Sequence, residues 1–337
     1  MKKVLTLTLV LALTLSLLTA CGGGSGNSNT PGGGNNSTTN PPASDSGGST
    51  DTPSSTPAKE PSGRVDYDQV LLDANGVKVT LTGYEHKEEV WSRTESYFYH
   101  YYYFTIENNS DKRQLVQFTR ASVNGCMVEV DDYAHHRNPD PGETYNDAYL
   151  YIPDTQLETF GITDIYNFEL RMELNTDFIS EPISLPAPAA PASAQTFDNA
   201  GVVLLDQKGI KITAIRADHD FGESYDKRSG VWLFLENNSG GDVKIWSYFI
   251  KINGKLGFDS SGSMSGIVAN NKVAFTYLSF KESELKNKGI NKIEELIVSF
   301  VVDSLDEKDK MGSNIRLLRQ DENEGTVKFD ANGKAVK

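Results

Sequence analysis

The sequence predicts an all-β protein of two tandem β-sandwich domains, each with one short helix, behind a disordered tether. Three observations predict it. Apolar residues recur with period two: Val77, Val79 and Leu81 alternate with Lys78 and Thr80, and Ile210, Ile212 and Ala214 with Lys211 and Thr213. Successive side chains on a strand point to opposite faces, so each run reads as a half-buried strand. Asn75-Gly76 and Asn124-Gly125 supply the positive φ that hairpin turns need. The third observation is a set of motifs that occurs twice.

Taken from the start, Lys2 and Lys3 precede an apolar run from Val4 to Leu18, and small Ala20 stands before Cys21. This is the order of a bacterial export signal, with an apolar run shorter than the ~20 residues of a membrane span. The tetrapeptide Leu18-Thr19-Ala20-Cys21 resembles the lipobox of bacterial lipoproteins. That resemblance implies removal of residues 1–20 and acylation of Cys21, which makes membrane lipid the first expected partner. Each buried CH₂ of the acyl chains contributes ~0.8 kcal/mol. The expected location is the extracellular face of the bacterial cytoplasmic membrane, with the chain lipid-anchored.

Residues 21–64 form the tether. Between Gly22 and Arg64 there is no Val, Ile, Leu, Met or aromatic residue, so nothing offsets the entropy of ordering. Such a chain has a root-mean-square reach of roughly 35–40 Å.

The repeat follows. Val70-Leu-Leu-Asp-Ala-Asn-Gly76-Val-Lys-Val79 returns as Val203-Leu-Leu-Asp-Gln-Lys-Gly209-Ile-Lys-Ile212. Glu107-Asn108-Asn109-Ser110 returns as Glu236-Asn237-Asn238-Ser239, and Val123-Asn124-Gly125 as Ile252-Asn253-Gly254. Collinear matches of this kind mark two copies of one domain, 65–185 and 198–320. The Pro/Ala segment 186–197 predicts an extended linker that holds the copies apart. Residues 321–337 form a tail, read as a small hairpin through Asn332-Gly333 or as a frayed end.

Within each copy, about seven strands and one helical turn predict a Greek-key sandwich like an immunoglobulin domain without its disulfide, with a β-barrel as the alternative. Asp154 is the expected cap of the first helix and Gly161 its stop. In the second copy Lys281 or Ser283 begins a turn that ends at Gly289.

The lipobox, the tether and repeats of the form VLLDxxGVKV, ENNSxK, VNG, PGE and LxxxGI resemble the immunoglobulin-like repeat lipoproteins of Gram-positive, Firmicutes-type bacteria. The resemblance covers nearly the whole chain and implies fold and location rather than an activity, because that family is largely of unknown function. The second copy departs from the pattern, with Asn270-Asn271-Lys272 where the first has Pro141-Gly142-Glu143.

Composition excludes some partners. The formal charge of −14 becomes −16 once residues 1–20, with two lysines and no acid, are removed. An acidic chain is repelled by phosphates, which argues against nucleic acid and anionic headgroups. Two cysteines occur; with Cys21 acylated, no intramolecular disulfide is possible, and Cys126 reads as a small buried apolar residue.

The expected binding surface is aromatic. Alignment of Tyr97 through Phe104 with the second copy puts even positions in the core and Tyr97, Tyr99, Tyr101 and Tyr103 outward, with Trp232 and Phe234 at corresponding outward positions. Such a face stacks on sugar rings or peptide side chains, so a protein or glycan of the cell surface is the expected ligand. The competing reading is a face covered by a loop or by the other domain.

No metal, cofactor or catalytic residue is expected. Asp131-Asp132-Tyr133-Ala134-His135-His136 and Asp218-His219-Asp220 lack the spacing of a recognised zinc site. Gly262-Ser-Met-Ser-Gly266 has Met264 where a nucleophile elbow needs serine. Glu88-Glu89 and Asp140 with Glu143 are acidic pairs with no hydrolase context, and the alternating helices of a solute-binding protein are missing.

Overall fold

The fold is given by a computed structural model. It describes residues 62–90, 96–132, 138–175, 177–190, 195–221, 227–258, 265–308 and 313–337. The expected export signal, Cys21 and the expected tether up to residue 61 lie outside the described residues, as do residues 259–264.

The first repeat contains β1 (Ser62–Ala74), β2 (Val77–Val90), β3 (Ser96–Asn108), β4 (Val116–Val123), β5 (Cys126–Met127), β6 (Asp131–Asp132), β7 (Thr144–Pro153), α1 (Asp154–Thr159), β8 (Phe168–Leu174), β9 (Phe178–Ile179) and β10 (Ile183–Leu185). The second contains β11 (Val202–Gln207), β12 (Ile210–Phe221), β13 (Arg228–Asn237), β14 (Val243–Ile252), β15 (Lys255–Leu256), β16 (Ser265–Val268), β17 (Lys272–Lys281), α2 (Glu282–Asn287), β18 (Glu295–Lys308), β19 (Asn314–Leu318), β20 (Gly325–Phe329) and β21 (Ala335–Val336). Strand predominates, and the strands form three sheets.

In the first repeat, β1-β2-β3-β7 lies over β4-β8-β10, because both layers have an apolar face to bury. Phe104 meets Phe118 at a ring separation of 4.5 Å, and Tyr102 meets Phe168 at 4.8 Å. The second repeat places β11-β12-β13-β17 over β14-β18-β20, with its own core around Leu233, Leu235, Ile245, Val298 and Phe300. The connectivity of the long strands differs from that of an immunoglobulin constant domain. There the third strand crosses to the second sheet; here β3 stays beside β2 and the fourth strand crosses.

The repeated Asn motifs have a structural cause. Asn108 and Asn237, both wholly buried, tie the turn after one strand to the loop before another. Asn108 Nδ2 donates to the carbonyls of Lys112 and Pro139, both at 2.8 Å, and Asn237 Nδ2 to those of Gly241 and Val268 at 2.9 and 2.8 Å. Asn124 and Asn253, at φ +52° and +46°, each accept two backbone N–H bonds from the segment that enters β8 or β18. Ordinary turn residues thus stitch the two layers together.

The helices begin one residue earlier than a capping Asp154 requires. Pro153 and Lys281, in extended backbone, hold the N-cap positions without a side-chain cap, and Asp154 falls in the first turn. Its carboxylate is engaged elsewhere. Gly161 and Gly289 stop the helices at φ +72°.

The segment after residue 320 belongs to the second repeat's sheet and core. β20 pairs with β18, placing Val327 opposite Leu296 as Leu185 stands opposite Phe168 in the first repeat. Val327, Phe329 and Ala335 are buried in the second core, and Gly333 accepts a 2.7 Å hydrogen bond from Ala217 N–H.

The repeats do not stand apart as the linker composition suggests. β5 pairs in parallel with β17 through Cys126 and Val273, so one nine-stranded sheet runs from β10 to β11 through both repeats. Arg120 and Arg171 converge on buried Asp242, and Lys272 pairs with Glu169. The C-terminal end of the linker is docked: Gln195 Nε2 donates to Gly161 O at 3.1 Å, and Phe197 packs on Phe234 and Phe275. Local side-chain chemistry outweighs the stiffness of Pro/Ala sequence.

Candidate functional site

Strand alternation sets the aromatic face. On β3, His100, Tyr102, Phe104 and Ile106 are buried, and the intervening tyrosines point to the opposite side of the sheet. Register then brings in β7, with Tyr149 opposite Tyr103 and Tyr151 opposite Tyr101. Tyr99, Tyr101, Tyr103, Tyr149 and Tyr151 form one cluster with neighbouring ring centroids 5.2–6.4 Å apart. Tyr149 and Tyr151 were legible as alternate residues in Tyr149-Leu150-Tyr151-Ile152, but pairing to β3 needs long-range register.

Exposure within the cluster is uneven. Tyr97 is exposed, Tyr99, Tyr103, Tyr149 and Tyr151 are half-buried, and Tyr101 is buried among its neighbours. Arg64 lies 4.5 Å over the Tyr103 ring and Lys87 4.2 Å over Tyr101. Tyr103 donates to Glu85 at 2.9 Å, and Tyr101 bonds Glu89. Burial first, then these carboxylates, push both phenols well above their ordinary range. Both therefore stay hydrogen-bond donors at physiological pH, on a surface that combines ring faces with both charge signs.

The corresponding face of the second repeat has a different fate. Trp232 is half-buried opposite Tyr277, and its Nε1 donates to Asp218 at 2.7 Å. Phe234, expected outward, is 2 % exposed. It faces outward from its own core but is covered at the junction, where Phe197 packs on it and Phe160 of the first repeat stacks on its neighbour Phe275 at 5.2 Å. A groove of about 440 Å³ remains between the repeats, lined by Arg120, Met127, Phe160, Trp232, Phe275 and Tyr277 among others. The six aromatic residues read from sequence therefore fall in two places: four on the first repeat's face and two at the junction.

A second feature escaped the sequence reading. His86 on β2, His100 on β3 and Asp154 at the start of α1 meet at one end of the first core. His86 Nε2 lies 3.0 Å from Asp154 Oδ2, and His100 Nε2 3.2 Å from Oδ1. The rings stack at 4.4 Å, and Tyr84 Oη stands 2.7 Å from His100 Nδ1. Burial works to raise the Asp154 carboxyl, but hydrogen bonds from His100 and His86 prevail and hold it well below the usual carboxylate range. The three residues lie far apart in sequence, and the signal was parity: both histidines fall on core-facing positions.

Repeat equivalence puts His219, Ser229 and Glu282 at the same place in the second repeat. Ser229 Oγ donates to Glu282 at 3.4 Å and lies 3.3 Å from His219 Nδ1. Burial and Lys292 lower the His219 pKa despite Glu282 and Asp218. The hydroxyl stands between imidazole and carboxylate, so the carboxylate does not orient the imidazole as in a hydrolase triad.

The other acidic groups singled out in sequence do not converge. Asp218 serves Arg216 and Trp232, while neighbouring His219 turns to Ser229. Glu143 accepts from Asp140 N–H at 2.8 Å and closes a turn. His135, His136 and residues 262–264 lie outside the described residues, as do the side chains of Asp131 and Asp132. No protein-family model and no curated protein matches the chain.

Proposed function

We propose that the protein is a lipid-anchored extracellular lipoprotein whose two sandwich repeats act as a non-enzymatic binding or adhesion module. The first repeat's tyrosine face is its recognition surface for a cell-surface protein or glycan. On this reading Cys21 carries the acyl chains, residues 21–64 give reach, and the chain is one of the immunoglobulin-like repeat lipoproteins that its motifs resemble.

The observation that carries the recognition surface is the five-tyrosine cluster, with four rings half-exposed between Arg64, Lys87 and Glu85. Rigid amphipathic rings give large contact area at low entropic cost, with hydroxyls left for hydrogen bonding. The test is recovery of ligand from intact envelope or host matrix by the full chain, against a Tyr99→Ser, Tyr103→Ser, Tyr149→Ser variant. Loss of recovery supports the assignment, and equal recovery removes the face from consideration.

A second reading is a structural spacer or envelope-assembly partner. It is favoured by one observation, the use of the equivalent face of the second repeat as an intramolecular contact. Chemical nitration of the tyrosines in the isolated protein separates the two, because protection of Tyr99 and Tyr149 favours the spacer.

A further inference from the structure

We propose that His86, His100 and Asp154 form a site for a divalent transition-metal ion of the zinc class. The site has two imidazole nitrogens, one carboxylate oxygen and a fourth position open to water.

The donor set and its spacing fit. Imidazole and carboxylate are zinc ligands, and three protein groups plus water is the open form of a zinc site. The candidate ligand atoms all lie within 4.8 Å of one another. The carboxylate oxygens stand 3.0 and 3.2 Å from the two Nε2 atoms. The edge of a tetrahedron with bonds of ~2.0–2.1 Å is about 3.3 Å, so the two carboxylate–imidazole edges already have the required length, and rotation of the stacked imidazoles toward each other closes the set on one ion. Asp154 is 22 % exposed while His86 and His100 are buried, which puts the water position on the carboxylate side. Phe98, 5.5 Å from His86, forms an apolar wall.

The surrounding hydrogen bonds favour metallation at His100. Without metal, each imidazole donates an Nε2 proton to Asp154. With metal, each keeps one proton but carries it on Nδ1, leaving the Nε2 lone pair for the ion. For His100 that proton faces Tyr84 Oη at 2.7 Å, the outer partner that orients a metal-bound histidine. His86 Nδ1 is buried with no hydrogen-bond partner among the described residues, so a proton carried there displaces no other contact, while the Nε2 bond to Asp154 gives way to the ion.

The second repeat supplies the internal comparison. The same corner of the same fold closes with one histidine, one serine and one carboxylate in His219, Ser229 and Glu282. Holding the helix to the sheets therefore requires no second imidazole. The extra one at His100 converts a hydrogen-bond chain into a three-ligand set.

The test is titration of zinc into chelator-treated full chain, followed by calorimetry and melting temperature, with cobalt(II) as an absorbing probe. The expected result is one ion per chain, a raised melting temperature and the visible bands of four-coordinate cobalt. His100→Ser, which installs what the second repeat already tolerates, is expected to weaken binding by about 100-fold or more. Tyr84→Phe is expected to weaken it by roughly 10-fold through loss of the outer partner. A His135→Ala, His136→Ala variant is expected to bind as the unaltered chain does. The proposal is overturned if the full chain binds no zinc, if His100→Ser binds equally well, or if loss of His135 and His136 abolishes binding. Should His100→Ser fail to fold, the Tyr84 and His135/His136 variants decide the matter.

Discussion

The guanidinium of Arg120, on the first repeat, is in ionic contact with the carboxylate of Asp242, on the second, with their side chains 7 % and 1 % exposed. Arg171 approaches the same carboxylate at 3.4 Å. Breaking such a pair by removing one partner leaves an uncompensated buried charge, at a cost of about 3–5 kcal/mol. Asp242→Ala is expected to lose stability on that scale and to split the denaturation curve into two transitions, as the repeats unfold separately. Arg120→Met with Asp242→Leu should recover part of the loss, and a single unchanged transition in Asp242→Ala would refute the assignment.

The two aromatic faces should respond differently to truncation. Phe234 is buried at the junction, and removal of a buried phenylalanine ring costs about 3–5 kcal/mol. Tyr99 is only half-buried, so Tyr99→Ala is expected to cost less than half as much. Urea denaturation of the two variants side by side checks the order.

Acid should weaken the protein partly through Asp154. Its folded pKa is depressed, so below the ordinary aspartate value of ~3.9 the unfolded chain takes up a proton that the folded chain resists. The stability it contributes is therefore present above that value and is lost as pH falls further. Asp154→Asn is expected to be less stable than the unaltered chain near neutrality, with the gap narrowing toward about pH 3; a gap independent of pH would contradict this. His219 works in the same sense higher on the scale. Its lowered pKa means that the unfolded state protonates first as pH falls below ~6.5.

Cys126 is expected to be inert in the native state. Burial pushes its thiol up to about 12, opposed in part by a backbone hydrogen bond at Phe275. The thiolate is the reactive form, so a thiol reagent at pH 8 should label Cys126 only on the timescale of unfolding. Labelling at the rate of a free cysteine would show that the seam opens.

The sequence was most informative where structure depends on near neighbours. The alternation at Val77, Val79 and Leu81 set β2, and the matched motifs announced a duplicated fold whose copies have separate cores. The asparagines of those motifs were visible as turn residues, whereas their cross-layer bonds to Pro139 and Val268 were not, because these partners lie 31 residues away in each case. Parity also put Tyr99, Tyr101 and Tyr103 on one face. What no local pattern supplies is register between distant strands. That register adds Tyr149 and Tyr151 to the cluster, joins His86 to Asp154 across 68 residues and brings Val273 beside Cys126. The docked linker escaped for a related reason: composition reports the stiffness of a segment, and Phe197 acts through what it meets.

The seam between β5 and β17 also bears on self-association. An unpaired strand at the rim of a sheet offers free N–H and C=O groups to any passing chain, a common route to aggregation. Separate repeats would leave the outer edge of β17 open, and β5 covers it at Val273 through the bridge to Cys126. Duplication of the domain thus comes with a local protection, since the first copy shields part of an adhesive margin of the second.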